Sequence, residues 1–491
     1  MNIFPPHATD FYKTGHIKQY PPKTQFVYSN FTCRSDRWAN VLPDFDHKTV
    51  FFGLQGMCQW LLIDLWNREF FHQPKSHVLN KYKRRMDNAL GKGAVSVDHI
   101  AALHDLGYLP IEIKAVPEGS RVDVRVPMFT IENTDENFYW VTNYLETQIS
   151  AEMWKPITSA TSAHEYRRLL DQYAAITGTP APFVDWQGHD FSFRGMSGIF
   201  DASVSGAAHL LSFTGTDTIS AIDYLEEYYL AADSGAMIGG SVPATEHSVM
   251  CMGGEDDEIG TFRRLITEVY PNGIVSIVSD TWDYWKVLTE YAVVLKKEIL
   301  GREGKVVFRP DSGDPVKIIC GDPDAPVGSP AYKGSVQCLW EIFGGTITDT
   351  GFKLLDSHVG LIYGDSISLV RAQQILEGLR QKGFASGNIV FGVGSFTYQH
   401  VTRDTFGTAI KATFGVVDGC DRNLFKDPKT DNGVKKSACG LIRVEYENGH
   451  FVMYDHQTRK QAAQGVLQTV FYNGRLTRVQ SLDDIRGRLK K

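Results

Sequence analysis

The 491-residue chain has no Cys-x-x-Cys pair, and its seven cysteines (33, 58, 251, 320, 338, 420 and 439) are odd in number and widely scattered. That spacing argues against a disulfide framework or a zinc site and suits reduced thiols in a cytosol. No Lys/Arg-rich tract interrupts a net charge of −7. Sequence-independent binding of nucleic acid needs a positive surface, so that role is disfavoured. No uncharged apolar run reaches the length of a membrane span, and the opening MNIFPPHATDFYK lacks the apolar stretch of a signal peptide. The expectation is a cytoplasmic protein without a membrane partner. Also missing are GxxxxGKS/T, GxGxxG, HExxH and GxSxG. Any phosphate must therefore be held by strand-end loops, helix N-termini and arginines.

What is present is a series of short apolar runs that each end in a small polar cluster. IVSIVSD ends at Asp280, KVVFRPDSG at Gly313, GLIYGDS at Ser366 and NIVFGVGS at Ser395. Each is rich in β-branched residues, and most precede a helix-length amphipathic segment. Strand–helix alternation implies a parallel sheet with helices outside. In a closed α/β barrel the C-terminal strand ends face the active site, so polar groups placed there read as ligands.

An apolar fraction of 43 % can support a large core in more than one lobe. Residues 1–180 read as an α+β region, with a strand in FVYSNFTCR and helical patterning over 50–110. Residues 111–134 alternate apolar and polar around a Pro-Glu-Gly turn, as an antiparallel hairpin does. Residues 181–416 read as the α/β barrel. Residues 417–491 return to the α+β domain, with a hairpin on Asn448-Gly449.

Each candidate residue has a bland reading beside the chemical one. RPDSGDP is either an Asx turn with a surface ion pair or a ligand pair, Arg309 for phosphate or ring and Asp311 for sugar hydroxyls. Gly364-Asp365-Ser366 either caps the next helix or admits a phosphate. Gly392 and Gly394 serve a turn or a phosphate in the same way. His247 lies in GGSVPATEHS beside Glu246, and a neighbouring carboxylate fixes a tautomer and raises basicity. In HDFSFRG, Phe191 is suited to stacking on a planar ring and Arg194 to an anion. GTDT places Asp217 near a helix start.

HATDFYKTGHIKQYPP, HDFSFRG, FTGTDT, SVPATEHS, SIVSD, RPDSGDP, YGDS, FGVGS, VTRD and LFKDP occur in this order. As an ordered set along nearly the whole length, they resemble the nicotinamide phosphoribosyltransferase family of type II phosphoribosyltransferases. The resemblance implies an irregular parallel α/β barrel with an additional α+β domain, assembled as a homodimer with shared sites. Its implied substrates are nicotinamide, phosphoribosyl pyrophosphate and ATP, with Mg²⁺ as cofactor and no protein side chain assigned to a metal.

Carried over by position, the resemblance sandwiches the pyridine ring between Phe191 and Tyr12 of the other subunit. It gives Asp217 the carboxamide NH₂ and places Arg309 at the ring and ribose. Asp311, Gly364 and Asp365 meet the ribose, and Gly394 and Ser395 the 5′-phosphate. Arg194, with Arg34, Arg403, Lys411 and Lys426 from the other subunit, holds phosphates. His247 accepts a phosphoryl group from ATP with Glu246 in support. Asp10, Ser241, Ser276 and Asp280 line the site. The chain departs from the family's pattern at Ser395-Phe396, at Val434 in KTDNGVKKS and at Ala409.

The residue types suit the reaction. Displacing pyrophosphate builds positive charge on the ribose and negative charge on the leaving group, calling for carboxylates near one and cations near the other. A competing reading is a nicotinate phosphoribosyltransferase. Asp217 opposes it, since a carboxylate repels nicotinate and complements an amide. A non-catalytic scaffold has no physical need for Asp217, His247, Arg309 and Asp311 together.

Overall fold

The computed structural model describes residues 3–233, 235–426 and 438–490. A six-stranded sheet runs in the order Gly215–Thr216, Gly188–Asp190, Val390–Val393, Val359–Tyr363, Glu303–Arg309, Asn272–Val278, and every neighbouring pair is parallel. The four runs singled out above supply its last four staves. They pack as buried apolar strands, with Val275, Ile277, Val306, Phe308, Leu361, Phe391 and Val393 all shielded from solvent.

The two outer edges of this sheet do not stay open. The segment around 240–245 pairs with both, through parallel bridges Gly215↔Gly240 and Ala244↔Ser276. Gly240 N–H donates to Thr214 at 2.8 Å and Thr245 N–H to Ser276 at 2.9 Å. A stave anchored at so few points closes the sheet into an irregular barrel. It also carries Ser241 and leads directly into His247.

The second sheet is antiparallel and built from both chain ends. Its seven strands run in the order Cys420–Asn423, Ala409–Val417, Thr24–Thr32, Pro127–Asn133, Ile111–Ala115, Gln468–Tyr472, Arg475–Leu476. Two details correct the sequence reading. Ala409–Val417, assigned above to the barrel, pairs along its length with Thr24–Thr32, and the barrel's last strand ends at Val393. The apolar alternation of a strand does not encode which partner it will find. Ile111–Ala115 and Pro127–Asn133 do pair antiparallel, yet Arg121–Asp123 leaves between them to pair with Lys48–Val50, so Pro117-Glu118-Gly119 is no tight hairpin turn. Strands Leu441–Glu447 and His450–Gln457 form the expected hairpin, with Asn448 and Gly449 both at positive φ (52° and 84°).

One helix, Glu146–Thr177, ties the lobes together. Its Ile149, Met153 and Ile157 pack in the core of the antiparallel lobe, and its Tyr166, Leu169, Leu170 and Tyr173 pack in the barrel core.

Candidate active site at the C-terminal end of the barrel

A cavity of about 620 Å³ opens among the strand ends, where His189, Phe191, Asp217, Ser241, Val242 and Ser276 line it. It continues down the barrel axis past Val307 to Lys305 near the start of strand Glu303–Arg309.

Asp217 is the polar focus of the mouth. Its Oδ1 accepts from His189 Nε2 at 2.8 Å and from Ser241 Oγ at 2.5 Å, joining three consecutive staves. Burial disfavours the charged carboxylate, but the His189 and Ser241 hydrogen bonds outweigh it and hold Asp217 below its ordinary pKa. Ser276 Oγ is buried on the same wall without a hydrogen-bond partner, which leaves a polar group available to a ligand.

Phe191 owes its position to two glycines. A Cβ on Gly392 would lie 2.4 Å from the Phe191 ring, and one on Gly364 would lie 3.0 Å from it. Neither glycine is at positive φ. Their absent side chains make room for the aromatic face. Gly394 has open space around its Cβ position, with only the Phe191 carbonyl oxygen at 3.9 Å.

The other half of the mouth is a charged network. Arg309 Nη2 donates to the Thr245 carbonyl at 2.6 Å, and its Nε lies 3.3 Å from Asp311 Oδ2. Asp280 Oδ2 accepts from Asp311 N–H at 2.8 Å and Ser312 Oγ at 2.6 Å. Its Oδ1 is buried without a hydrogen bond and stands 3.9 Å from His247 Nε2, while His247 Nδ1 lies 3.1 Å from Thr281 Oγ1. Burial and then the Asp280 charge push the Asp311 carboxyl up, with Arg309 opposing.

Two sequence expectations change here. Glu246 does not brace His247; its carboxylate accepts from Ser248 Oγ, and Asp280 and Thr281 flank the imidazole instead. The cap of helix Leu369–Gln381 is Ser368, not Gly364-Asp365-Ser366, so Asp365 stays exposed at the mouth. Arg194 is exposed in the turn Phe193–Gly195, and that turn packs so closely on Ser395 that a Cβ on Gly195 would lie 2.3 Å from the Ser395 Cβ.

The remaining candidates sit off the barrel strand ends. Thr147 Oγ1 donates to Asp10 Oδ2 at 2.7 Å, and Tyr12 is an exposed ring beside His16. Lys411 Nζ lies 3.8 Å from Glu146, and Lys13 also pairs with that carboxylate. Burial, with Arg34, Lys13 and Lys426 nearby, lowers the Lys411 pKa against the pull of Glu146; burial and Arg403 lower that of Arg34. These cations form one electropositive group. Ala409 is buried opposite Thr32, and Val434 lies outside the described residues. His189, Thr281 and the Thr245 carbonyl had not been singled out. Only the i, i+2 spacing of His189 and Phe191 hinted that both face the cavity.

The nicotinate phosphoribosyltransferase family model matches residues 186–475, and that of the nicotinamide phosphoribosyltransferase N-terminal domain matches 6–113. A nicotinamide phosphoribosyltransferase of Acinetobacter baylyi is 62 % identical over 100 % of this chain and 97 % of its own length. One from Xanthomonas campestris is 32 % identical over 97 % and 96 % respectively. Among solved structures, the nicotinate-nucleotide pyrophosphorylase of Pyrococcus furiosus aligns with a TM-score of 0.57 at 15 % identity, covering 99 % of this chain and 95 % of that one. Human nicotinic acid phosphoribosyltransferase aligns at 0.54 and 12 %, covering 98 % and 93 %. At such identities these two speak for the fold alone. With one family model spanning more than half the chain and a relative 62 % identical from end to end, this chain belongs to the nicotinate phosphoribosyltransferase family, alongside the bacterial nicotinamide phosphoribosyltransferases.

Proposed function

We propose that the chain transfers the phosphoribosyl group of phosphoribosyl pyrophosphate to nicotinamide, releasing pyrophosphate and forming nicotinamide mononucleotide. The names of its relatives support the reaction, and Asp217 carries the choice of base. Both described hydrogen bonds to that carboxylate fall on Oδ1, which leaves Oδ2 to accept from a carboxamide NH₂. Nicotinate would bring a second negative charge to the same oxygen.

The ring nitrogen's lone pair attacks C1 of the ribose as the C1–O bond to pyrophosphate breaks, and the leaving group takes that electron pair. Phe191 stacks on the ring and sets its angle of approach. Asp311 and Asp365 face the ribose as positive charge develops, and the cationic group centred on Arg34, Arg403 and Lys411 takes the phosphates. The pyridine nitrogen is nucleophilic without a general base.

Among the described residues no group of three or more His, Cys, Asp or Glu side chains is set to hold a metal alone. Mg²⁺ bound with the diphosphate would neutralise its charge, and Asp280, whose Oδ1 has no hydrogen-bond partner, and Asp311 would be the protein acceptors beside it. His247 is the acceptor for a phosphoryl group from ATP.

The assembly is a homodimer in which Tyr12, Arg34, Arg403, Lys411 and Lys426 complete the partner's site. Ile199 and Ile219, each 73 % exposed on adjoining helices, supply apolar surface for such an interface. The unpaired state of all seven cysteines suits a cytoplasmic setting, and among the described residues no helix is long and apolar enough to cross a membrane.

The test is product formation from phosphoribosyl pyrophosphate and Mg²⁺ with either base. Nicotinamide should be strongly preferred, and Asp217→Asn should weaken the preference by about 1–3 kcal/mol. Equal turnover of both bases by the unaltered protein overturns the reading.

A further inference from the structure

We propose that His189 is the positioning residue of the base subsite, setting both the carboxylate and the aromatic wall that select nicotinamide; this rests on the function proposed above. Its Nε2 lies 2.8 Å from Asp217 Oδ1, and its ring meets Phe191 edge-on with centroids 4.9 Å apart. It touches both walls. A carboxylate only accepts, so the imidazole proton sits on Nε2.

The barrel reserves space for this ring. A Cβ on Gly215 would lie 2.6 Å from His189 Nδ1, so any larger residue there would push the imidazole off its line to Asp217. His189 is itself buried on strand Gly188–Asp190 and in register with Gly215 and Gly392 on its two neighbours, which fixes its height in the barrel. The consequence is chemical. With Oδ1 occupied by His189 and Ser241, Asp217 presents Oδ2 in one orientation, toward a donor in the cavity. Without the imidazole the carboxylate would rotate, and Phe191 would lose its lateral support.

The test uses full-length protein and measures initial rates with nicotinamide and with nicotinate varied at saturating phosphoribosyl pyrophosphate and Mg²⁺, and with phosphoribosyl pyrophosphate varied at saturating nicotinamide. It compares wild type with His189→Gln and His189→Asn, each also in an Asp217→Asn background. A glutamine amide reaches the position of Nε2, whereas an asparagine amide reaches only that of Nδ1. His189→Asn should raise the KM for nicotinamide by about tenfold or more, while the KM for phosphoribosyl pyrophosphate moves less than about twofold. His189→Gln should recover most of the loss. The Asn penalty should shrink when Asp217 is already asparagine, because the two residues act as a unit.

Equal behaviour of the Gln and Asn variants, an equal rise in both KM values, or additive effects in the double variants would overturn the inference. A failure of His189→Asn to fold, judged by thermal melting, leaves His189→Gln decisive. It must then keep wild-type selectivity between the two bases, and loss of selectivity counts against the proposal. A wild-type protein silent with nicotinamide sinks the functional reading instead, so the two failures are distinguishable.

Discussion

His247 Nε2 faces Asp280 Oδ1 at 3.9 Å, whereas Glu246, its neighbour in sequence, is turned to Ser248. The carboxylate that faces the imidazole therefore comes from the adjacent stave.

Asp280→Asn should accordingly lower ATP-stimulated product formation by about tenfold, and Glu246→Gln by less than about threefold. The comparison is the ratio of rates with and without ATP. His247→Ala should abolish that stimulation while slower basal transfer continues, since the ribose and phosphate contacts lie elsewhere. A larger effect from Glu246→Gln would restore the pairing suggested by sequence.

Gly392→Ala should displace Phe191, because its Cβ would lie 2.4 Å from that ring and 2.7 Å from the Gly364 Cα. The expected result is a KM for nicotinamide raised by several-fold and a stability loss of about 1–3 kcal/mol from overpacking. Denaturant unfolding and steady-state kinetics check the two parts separately.

Shared sites predict complementation. Arg403→Ala and Arg309→Ala proteins should each be nearly inactive, yet refolded together they form heterodimers with one intact site. Random pairing limits recovery to about a quarter of wild-type activity. No recovery, with heterodimers demonstrated, would mean that each site is built within one chain.

Stability should depend on pH through Glu118. This buried carboxylate accepts from Gly53 N–H at 2.8 Å, Gln55 N–H at 2.6 Å and the Tyr229 hydroxyl at 3.0 Å. Burial nonetheless pushes it up to about 7. Between the ordinary carboxylate range and that value, the folded chain keeps a proton that the unfolded chain has released. Its contribution is therefore full in acid and lost as pH rises toward 7. Glu118→Gln lacks the titration, so the Tm of wild type minus that of the variant should fall with rising pH and level off above neutrality.

The sequence by itself determined four of the barrel's staves and their polar ends. β-Branched runs of strand length that stop at Asp280, Asp311, Asp365 and Ser395 fix which residues reach one end of a parallel sheet, because a buried strand is apolar wherever helices cover both faces. It also determined the family, since ten motifs in fixed order leave little freedom. Tertiary structure alone decided the pairings across staves. That Asp280 rather than Glu246 faces His247, that Gly392 makes room for Phe191, that His189 reaches Asp217, and that Ala409–Val417 joins the antiparallel sheet are matters of register and neighbour order. Local pattern records which face of a strand is buried. It holds no record of which distant strand will lie alongside, because that choice is made by the packing of the whole core.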